Sequence, residues 1–187
     1  MNLAAHERQK YEKVWKDPLY ARYSPGEEVV PLFKQMVRKR GTLVDIGCGT
    51  GRAGAKLSIE GWTVTYMDFV QVTPHMPFVK QNLWTPWRNK DKTRPFYSTW
   101  DYGYCADVME HIPPDKIDAT LDNITKHCDK VFFAINFGPD HFGQVIGEPL
   151  HLTVKPFTWW RDKLKALGDL REARDLIGMG AFYLVPR

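Results

Sequence analysis

The strongest constraint on the fold is a glycine-rich segment that directly follows a short apolar run. Residues 43–46 read LVDI, residues 45–54 read DIGCGTGRAG, and the residues after the glycines have helical spacing. A strand, a glycine-rich turn and a helix in that order let the backbone approach a nucleotide-like ligand closely. Two spacings overlap here: acidic-x-G-x-G-x-G from Asp45, and G-x-G-x-x-G from Gly49.

Apolar runs alternate with helical or polar segments along most of the chain. Further strands are predicted at residues 64–68, 77–83, 102–108 and 130–137. Strands separated by helices or long connections predict a parallel α/β sheet with right-handed crossovers. Residues 156–168 are predicted to form a helix that ends at Gly168, and LREARDLIG and GAFYLVP after it form a terminal hairpin.

Composition bounds the organisation of the chain. With 187 residues, 43% of them hydrophobic, the chain suits one well-buried domain. We expect a helical cap over 1–40, a ligand-binding core over 41–137, and a loop, helix and hairpin over 138–187. No run approaches the roughly 20 apolar residues of a membrane span, and the three cysteines fit neither a disulfide framework nor a paired zinc site. A cytoplasmic protein with no membrane partner is the resulting expectation.

The acid in front of the glycines separates the two spacings. Asp68, at the end of the second predicted strand, suits the ribose of either ligand class and does not discriminate. Asp45 does discriminate, because a carboxylate beside the loop repels a pyrophosphate but attracts the ammonium group of a methionine moiety. The spacing that begins at Asp45 therefore fits better than the dinucleotide spacing.

Three segments in order resemble the class I S-adenosylmethionine-dependent methyltransferases. LVDIGCGTG is similar to their first motif, MDF at 67–69 to the ribose and adenine motif, and ADVMEHIPPDKI at 106–117 to the motif after the fourth strand. The resemblance covers residues 41–137. It implies a Rossmann-like α/β fold: a mostly parallel seven-stranded sheet, an antiparallel C-terminal hairpin strand, and helices on both faces.

The resemblance also implies which residues bind S-adenosylmethionine, whose product is S-adenosylhomocysteine. Gly47, Gly49 and Gly51 would bring the backbone against the cofactor beside Asp45, and Asp68 would hold the ribose. The other implied contacts are Phe69 on the adenine, Asn82 and Leu83 at the adenine edge, the backbone of Ala106 at the methionine end, and Arg22 or Tyr23 at the carboxylate. Asn82 departs from the family, many members of which carry an aspartate there. Residues 20–27 equally fit a turn that only packs on the first helix.

His111 and His151 are the predicted catalytic residues. The leaving group of a methyl transfer from a sulfonium is a neutral thioether, so a base is needed only when the acceptor holds its proton. Neutral imidazole accepts a proton near neutral pH. Orienting a loop is the alternative role for His111, and a structural hydrogen bond for His151. Together with Glu110, His141 and Glu148 the two histidines offer the ligand types of a divalent metal site, but the five residues lack a diagnostic ligand spacing, so no metal is expected.

Local motifs favour a small acceptor over nucleic acid. In DVMEHIPP the prolines come too late for the Pro-Pro-aromatic motif of DNA amino-methyltransferases, and no cysteine follows a proline as cytosine-C5 chemistry requires. The contrary feature is the basic aromatic loop at 84–100, WTPWRNKDKTRPFYSTW, whose composition suits base stacking. Its tryptophans are otherwise predicted to pack on the sheet edge or to line the acceptor pocket.

The acceptor is the least constrained part of this interpretation. Trp159 and Trp160 are predicted either to wall a pocket for a sugar or aromatic ring or to lie in a helix core. We expect methyl transfer to oxygen or nitrogen of a small or glycan-like polar acceptor. An RNA or DNA methyltransferase and a non-catalytic S-adenosylmethionine-binding protein are the alternatives.

Overall fold

A seven-stranded sheet forms the centre of the fold. The computed structural model describes residues 2–22, 24–75, 77–87 and 99–187. The strands are β1 Thr42–Ile46, β2 Thr63–Asp68, β3 Phe78–Lys80, β4 Tyr102–Ala106, β5 Val131–Asn136, β6 Gly168–Leu176 and β7 Met179–Pro186. Their order across the sheet is β3-β2-β1-β4-β5-β7-β6, with β1 to β5 parallel and β7 antiparallel to both of its neighbours.

Helices cover the sheet and also form the N-terminal region. They are α1 Leu3–Val14, α2 Pro18–Arg22, α3 Pro25–Glu28, α4 Val30–Met36, α5 Arg52–Ile59, α6 Ile117–His127, α7 Gly143–Ile146 and α8 Phe157–Lys165. Short 3-10 turns lie at Met109–His111 and Pro114–Lys116. Within the described ranges, no helix is both long and apolar enough to span a bilayer.

The sheet separates two apolar cores, because successive side chains of a buried strand point to opposite faces. Val44 and Phe133 lie in the core that includes α6 and α8. Leu43 and Phe132 lie in the core on the other face, with residues of α4 and α5. This two-sided burial explains why the sequences of β1 and β5 are near-continuous apolar runs. The predicted fold class is confirmed, including the antiparallel hairpin.

The strand order reverses between β1 and β4, and this reversal locates the ligand cleft. From β1 the chain builds outward through β2 and β3, and from β4 it builds in the opposite direction through β5. The loops after β1 and β4 consequently diverge to opposite faces and leave a crevice at the carboxyl ends of these two strands. Residues 47–50 and Asp107 line this crevice.

Some predicted boundaries were wrong, and Gly168 is the most informative case. The helix ends at Lys165, and Gly168 begins β6 instead of terminating the helix. A Cβ at Gly168 would lie 2.2 Å from the carbonyl oxygen of Val185, so the glycine permits close strand pairing. The third strand is shorter than predicted and covers Phe78–Lys80 only, since a turn follows in which Thr85 N donates to Asn82 O at 3.3 Å.

Candidate active site

The glycine-rich loop has a backbone that requires glycine. Gly47, Gly49 and Gly51 have φ angles of 67°, 51° and 73°, in the left-handed region that side chains disfavour. A Cβ on Gly47 would lie 2.6 Å from the Val108 side chain, and one on Gly49 would lie 2.8 Å from the Trp15 ring. Gly47 and Gly49 thus leave bare backbone facing the crevice, whereas the predicted cofactor residue Gly51 does not line it and instead packs on His75 at the N-terminus of α5.

Two buried carboxylates, those of Asp45 and Asp68, hold this loop in place by accepting hydrogen bonds from its backbone. Asp45 Oδ2 accepts a hydrogen bond from Gly54 N at 3.0 Å, and Asp68 Oδ2 accepts one from Gly49 N at 2.9 Å. Asp68 Oδ1 accepts a third, from Val70 N at 3.1 Å. Burial raises the pKa of Asp45 to about 7 against the opposing effect of the Gly54 hydrogen bond, and it also raises the pKa of Asp68. Both acids therefore organise the loop and also line the crevice.

One half of the crevice is lined mainly by apolar and aromatic side chains. Asp68, Phe69 and Leu83 line it from the sheet edge, and Tyr11 lines it from α1. The Phe69 ring contacts Tyr11, with ring centroids 5.5 Å apart, and Trp84, at 6.4 Å. A carboxylate beside aromatic walls is the arrangement expected for a ribose and an adenine ring.

The other half of the crevice, called the polar half below, carries more polar and charged side chains than the first. Asp45, Gly49 and Ala106 line it from the strand ends, together with Asp107, His111 and His151 from the loops. The two halves meet at Gly47, Trp15, Tyr20, Asp107 and His111, which line both. A ligand that extends across this junction places an apolar end on Phe69 and a charged end near Asp45.

The two predicted catalytic histidines lie side by side at the polar half. Their ring centroids are 4.6 Å apart with the rings nearly perpendicular. His111 Nδ1 is hydrogen-bonded to the Tyr11 hydroxyl at 2.7 Å, and His151 Nδ1 lies 2.6 Å from Gly138 O. Burial, followed by the nearby His111, lowers the pKa of His151. Lowering the pKa keeps the His151 imidazole neutral and able to accept a proton or bind a cation.

The histidines come together because the β4 turn binds the later loop through its backbone. Leu152 N and Thr153 N both donate to Glu110 O, at 2.7 and 2.8 Å. Asp140 accepts hydrogen bonds from Leu150 N and His151 N in the same loop. Asp107, Glu110, His111 and His151 consequently each place one potential ligand atom within 4.8 Å of those of the others.

Two predicted cofactor residues are placed less directly. Arg22 is exposed at the end of α2, and its carbonyl accepts a hydrogen bond from Arg52 at 2.6 Å; the neighbouring Ser24, Pro25 and Gly26 line the polar half instead. Asn82 Oδ1 already accepts a hydrogen bond from Trp84 N at 3.1 Å. Tyr23, the alternative to Arg22, lies outside the described residues.

Several cleft residues escaped the sequence analysis. Tyr11, Trp15 and Tyr20 come from α1 and α2, and Asn136 comes from the end of β5. The aromatic character of the first three, in a region otherwise rich in charged residues, was the available signal for these positions. Aromatic side chains need an apolar surface against which to pack. Their partners lie far along the chain and are set by tertiary packing.

The tryptophan-rich segments mostly turn inward. Trp84 lines the apolar half of the cleft, and Trp87 is buried against Trp100 and His127. The rest of the basic loop, 88–98, lies outside the described residues. Trp160 is fully buried in the core, and Trp159 packs against it with Lys163 over its ring. The helix-core alternative for Trp160 is therefore confirmed.

A known family accounts for this combination of fold and cleft. A profile of the family described as "Methyltransferase domain" matches residues 19–169. Since the match spans most of the chain, the protein belongs to this methyltransferase family. The resemblance read from the motifs is thereby confirmed, as is S-adenosylmethionine as the cofactor. No protein of curated function matches the sequence.

Solved structures of low sequence identity share the fold. The 1,6-didemethyltoxoflavin-N1-methyltransferase of Burkholderia thailandensis, solved with bound 1,6-didemethyltoxoflavin and S-adenosylhomocysteine, is 15% identical, with a TM-score of 0.73 over 98% of this chain and 88% of that one. A TehB-like S-adenosylmethionine-dependent methyltransferase from Corynebacterium glutamicum is 20% identical, with a TM-score of 0.61 over 98% and 99%. The glycopeptide N-methyltransferase MtfA is 10% identical, with a TM-score of 0.63 over 88% and 92%.

Proposed function

We propose that this protein transfers a methyl group from S-adenosylmethionine to oxygen or nitrogen of a small or glycan-like polar acceptor. The observation that carries the proposal is the two-part cleft, apolar beside Asp68 and Phe69 and polar beside Asp45, joined at Gly47. When bound, the cofactor supplies a methyl group on a sulfonium and leaves as a neutral thioether. The bare glycine backbone and Asp45 suit the methionine part of the cofactor, Asp68 suits the ribose, and Phe69 suits the adenine.

The acceptor side of the proposal rests on the enclosure of the polar half. Trp15 and Tyr20 cover it from the N-terminal helices, and Asp140 and Phe142 border it from the loop after β5. An acceptor must pass between these elements, which favours a small molecule or the tip of a glycan over a duplex. The 1,6-didemethyltoxoflavin and glycopeptide enzymes of the same fold act on acceptors of this scale.

His111 and His151 are assigned to removing the proton of the acceptor. Both line the polar half beside Asp107, and His111 also lines the apolar half. His151 is kept neutral by burial, and His111 is oriented by the Tyr11 hydroxyl. Positioning of the acceptor against the sulfonium methyl group supplies most of the remaining acceleration.

Methyl-labelled S-adenosylmethionine and a panel of small amines, phenols and sugars test this proposal, with an RNA oligonucleotide in parallel. We expect label in at least one small acceptor. Transfer to RNA alone, with affinity falling steeply with salt, would instead assign the basic aromatic loop to nucleic-acid binding. Binding of S-adenosylhomocysteine without transfer to any acceptor would indicate the non-catalytic alternative.

A further inference from the structure

Four side chains at the polar end of the cleft have the composition of a cation site. Asp107, Glu110, His111 and His151 each offer one ligand atom, and these atoms lie within 4.8 Å of one another. Ligands about 2.1 Å from a shared cation stand roughly 3 to 4.2 Å apart, depending on geometry. The distance of 4.0 Å between His111 Nε2 and Asp107 Oδ2 falls in that range. Small side-chain shifts bring the widest pair within it.

Glu110 gives an independent indication of a missing partner. The side chain is completely buried, and its Oε1 accepts a hydrogen bond from Asn136 N at 2.7 Å. Its Oε2 is buried and receives no hydrogen bond from a described donor, and the Asp107 carboxyl lies within hydrogen-bonding reach of the Glu110 carboxyl. Two adjacent carboxylates at a buried site cannot both stay ionised without a shared proton or a cation between them, and the two imidazoles beside them favour a cation.

Both histidines are held in the manner of metal ligands. His151 Nδ1 lies 2.6 Å from Gly138 O and donates to it, which leaves the Nε2 lone pair free. His111 Nδ1 lies 2.7 Å from the Tyr11 hydroxyl oxygen and 3.2 Å from Leu150 O; in the tautomer with Nδ1 protonated it donates to the carbonyl and leaves Nε2 free to bind a cation. A carbonyl partner on the far nitrogen fixes the tautomer that binds metal.

The backbone at Asp107 is also specialised. Its φ of 59° makes it the one residue other than glycine with a left-handed backbone in the described part of the chain. This conformation costs free energy for an aspartate, and Asp107 N is held in place by a hydrogen bond to Ala134 O at 2.8 Å. The strained turn directs the chain so that Asp107 and His111, four residues apart, stand on the same side of the cleft.

We propose that Asp107, Glu110, His111 and His151 bind one divalent first-row transition cation beside the position of methyl transfer. Two imidazoles with two carboxylates favour such a cation over Ca²⁺ or Mg²⁺, which prefer oxygen ligands. Asp107, His111 and His151 line the cleft, so coordination positions remain open toward an acceptor oxygen. In the cation-loaded protein His111 and His151 are ligands and not bases, and an acceptor oxygen on the cation would lose its proton more readily instead. This role of the cation rests on the proposed function; the binding of the cation does not.

The site replaces the expectation of no metal drawn from sequence spacing. Of the acid and histidine residues considered there, Glu110, His111 and His151 come together. Glu148 instead forms an ion pair with His6 at 2.7 Å, and His141 lines the cleft outside the cluster. Asp107 takes the fourth place, which spacing alone did not reveal.

Titration of the purified protein with Mn²⁺, followed by the electron paramagnetic resonance signal of free Mn²⁺, tests the site. We expect one saturable site per chain. Glu110→Gln and His151→Gln should each weaken Mn²⁺ binding at least about tenfold, while the matched variant His141→Gln leaves it nearly unchanged. Circular dichroism and thermal unfolding establish that each variant is folded.

Absence of saturable Mn²⁺ binding to a folded protein would overturn the inference, as would equal losses in His141→Gln and His151→Gln. Calorimetry with S-adenosylhomocysteine on the same samples separates the two proposals. A protein that binds S-adenosylhomocysteine but not Mn²⁺ retains the proposed function and loses the cation site. A protein that binds Mn²⁺ but not S-adenosylhomocysteine does the reverse.

Discussion

At the scale of one residue, the Asp45 side chain both stabilises the glycine-rich loop and lines the cleft. Its carboxylate is buried at the end of β1, accepts the Gly54 N–H, and faces the polar half of the cleft. Burial raises its pKa from 3.8 to about 7, with a smaller contribution from the charge of Asp68. The folded protein therefore holds this proton more tightly than the unfolded chain does.

Replacing Asp45 should consequently change the pH dependence of stability. Because the folded-state pKa is raised, ionisation of Asp45 destabilises the fold progressively as pH rises from about 4 to about 7. We therefore compare Asp45→Asn with the unsubstituted protein, both without cofactor. The change in the free energy of unfolding that the substitution causes should be more stabilising at pH 8 than at pH 4, by roughly 1 to 4 kcal/mol. Urea denaturation at both pH values measures the difference. A greater loss of stability at pH 8 than at pH 4 would contradict the account.

Gly47 carries both a conformational and a steric requirement. Gly47→Ala adds a methyl group at φ 67° and 2.6 Å from Val108. Gly178→Ala is the matched control, since Gly178 has φ 79° and a Cβ added there would have no described atom within 4 Å. We expect a stability loss of about 1 kcal/mol for Gly178→Ala and about 2 to 4 kcal/mol for Gly47→Ala.

Calorimetry with S-adenosylhomocysteine completes the comparison of the two glycines. Only Gly47→Ala should lose affinity, by at least about tenfold, because a methyl group would occupy the junction of the two cleft halves. Equal affinities in the two variants would show that the Gly47 backbone does not approach the ligand.

At the scale of elements, α1 acts as a cover on the cleft. Tyr11 and Trp15 line the cleft from this helix and its C-terminal end, and its buried Lys10 pairs with Glu7 at 2.5 Å and donates to Pro149 O at 3.2 Å. The buried cation thus fastens α1 to the loop before His151. A buried pair of this kind is costly to break, because the remaining charge loses its partner.

Lys10→Met should therefore undock α1 while leaving the sheet folded. We expect faster amide hydrogen exchange in residues 3–14 and S-adenosylhomocysteine dissociation accelerated about tenfold or more. Lys13→Met on the exposed side of the same helix is the control and should change neither quantity. If both variants behave alike, Lys10 does not fasten the helix.

Elements differ in how far the sequence could predict them. The strand, loop and helix around Gly47 were predictable because a contiguous motif encodes them, and Asp68 because it closes an apolar strand. Gly168 was misread because a glycine after a helical segment serves either as a cap or as a site of close strand pairing. Both situations require glycine, so the sequence alone does not distinguish them.

On the scale of the whole molecule, the cleft joins residues that the chain keeps far apart. Tyr11, Asp107 and His151 meet only after α1, the turn beyond β4 and the loop after β5 dock together. Local periodicity carries no information about such docking, which explains why the cofactor loop was predicted more fully than the acceptor side. His111 and His151 were identified individually and Glu110 was weighed beside them as a metal ligand, but the place of Asp107 among them was not predicted.

Calorimetric titration with S-adenosylhomocysteine and, separately, with NADH tests the central claim most directly. The cleft is predicted to bind one S-adenosylhomocysteine per chain and no NADH, because Asp45 attracts an ammonium group but repels a pyrophosphate. Asp68→Ala should weaken S-adenosylhomocysteine binding at least about tenfold. Saturable binding of NADH without binding of S-adenosylhomocysteine would contradict the account.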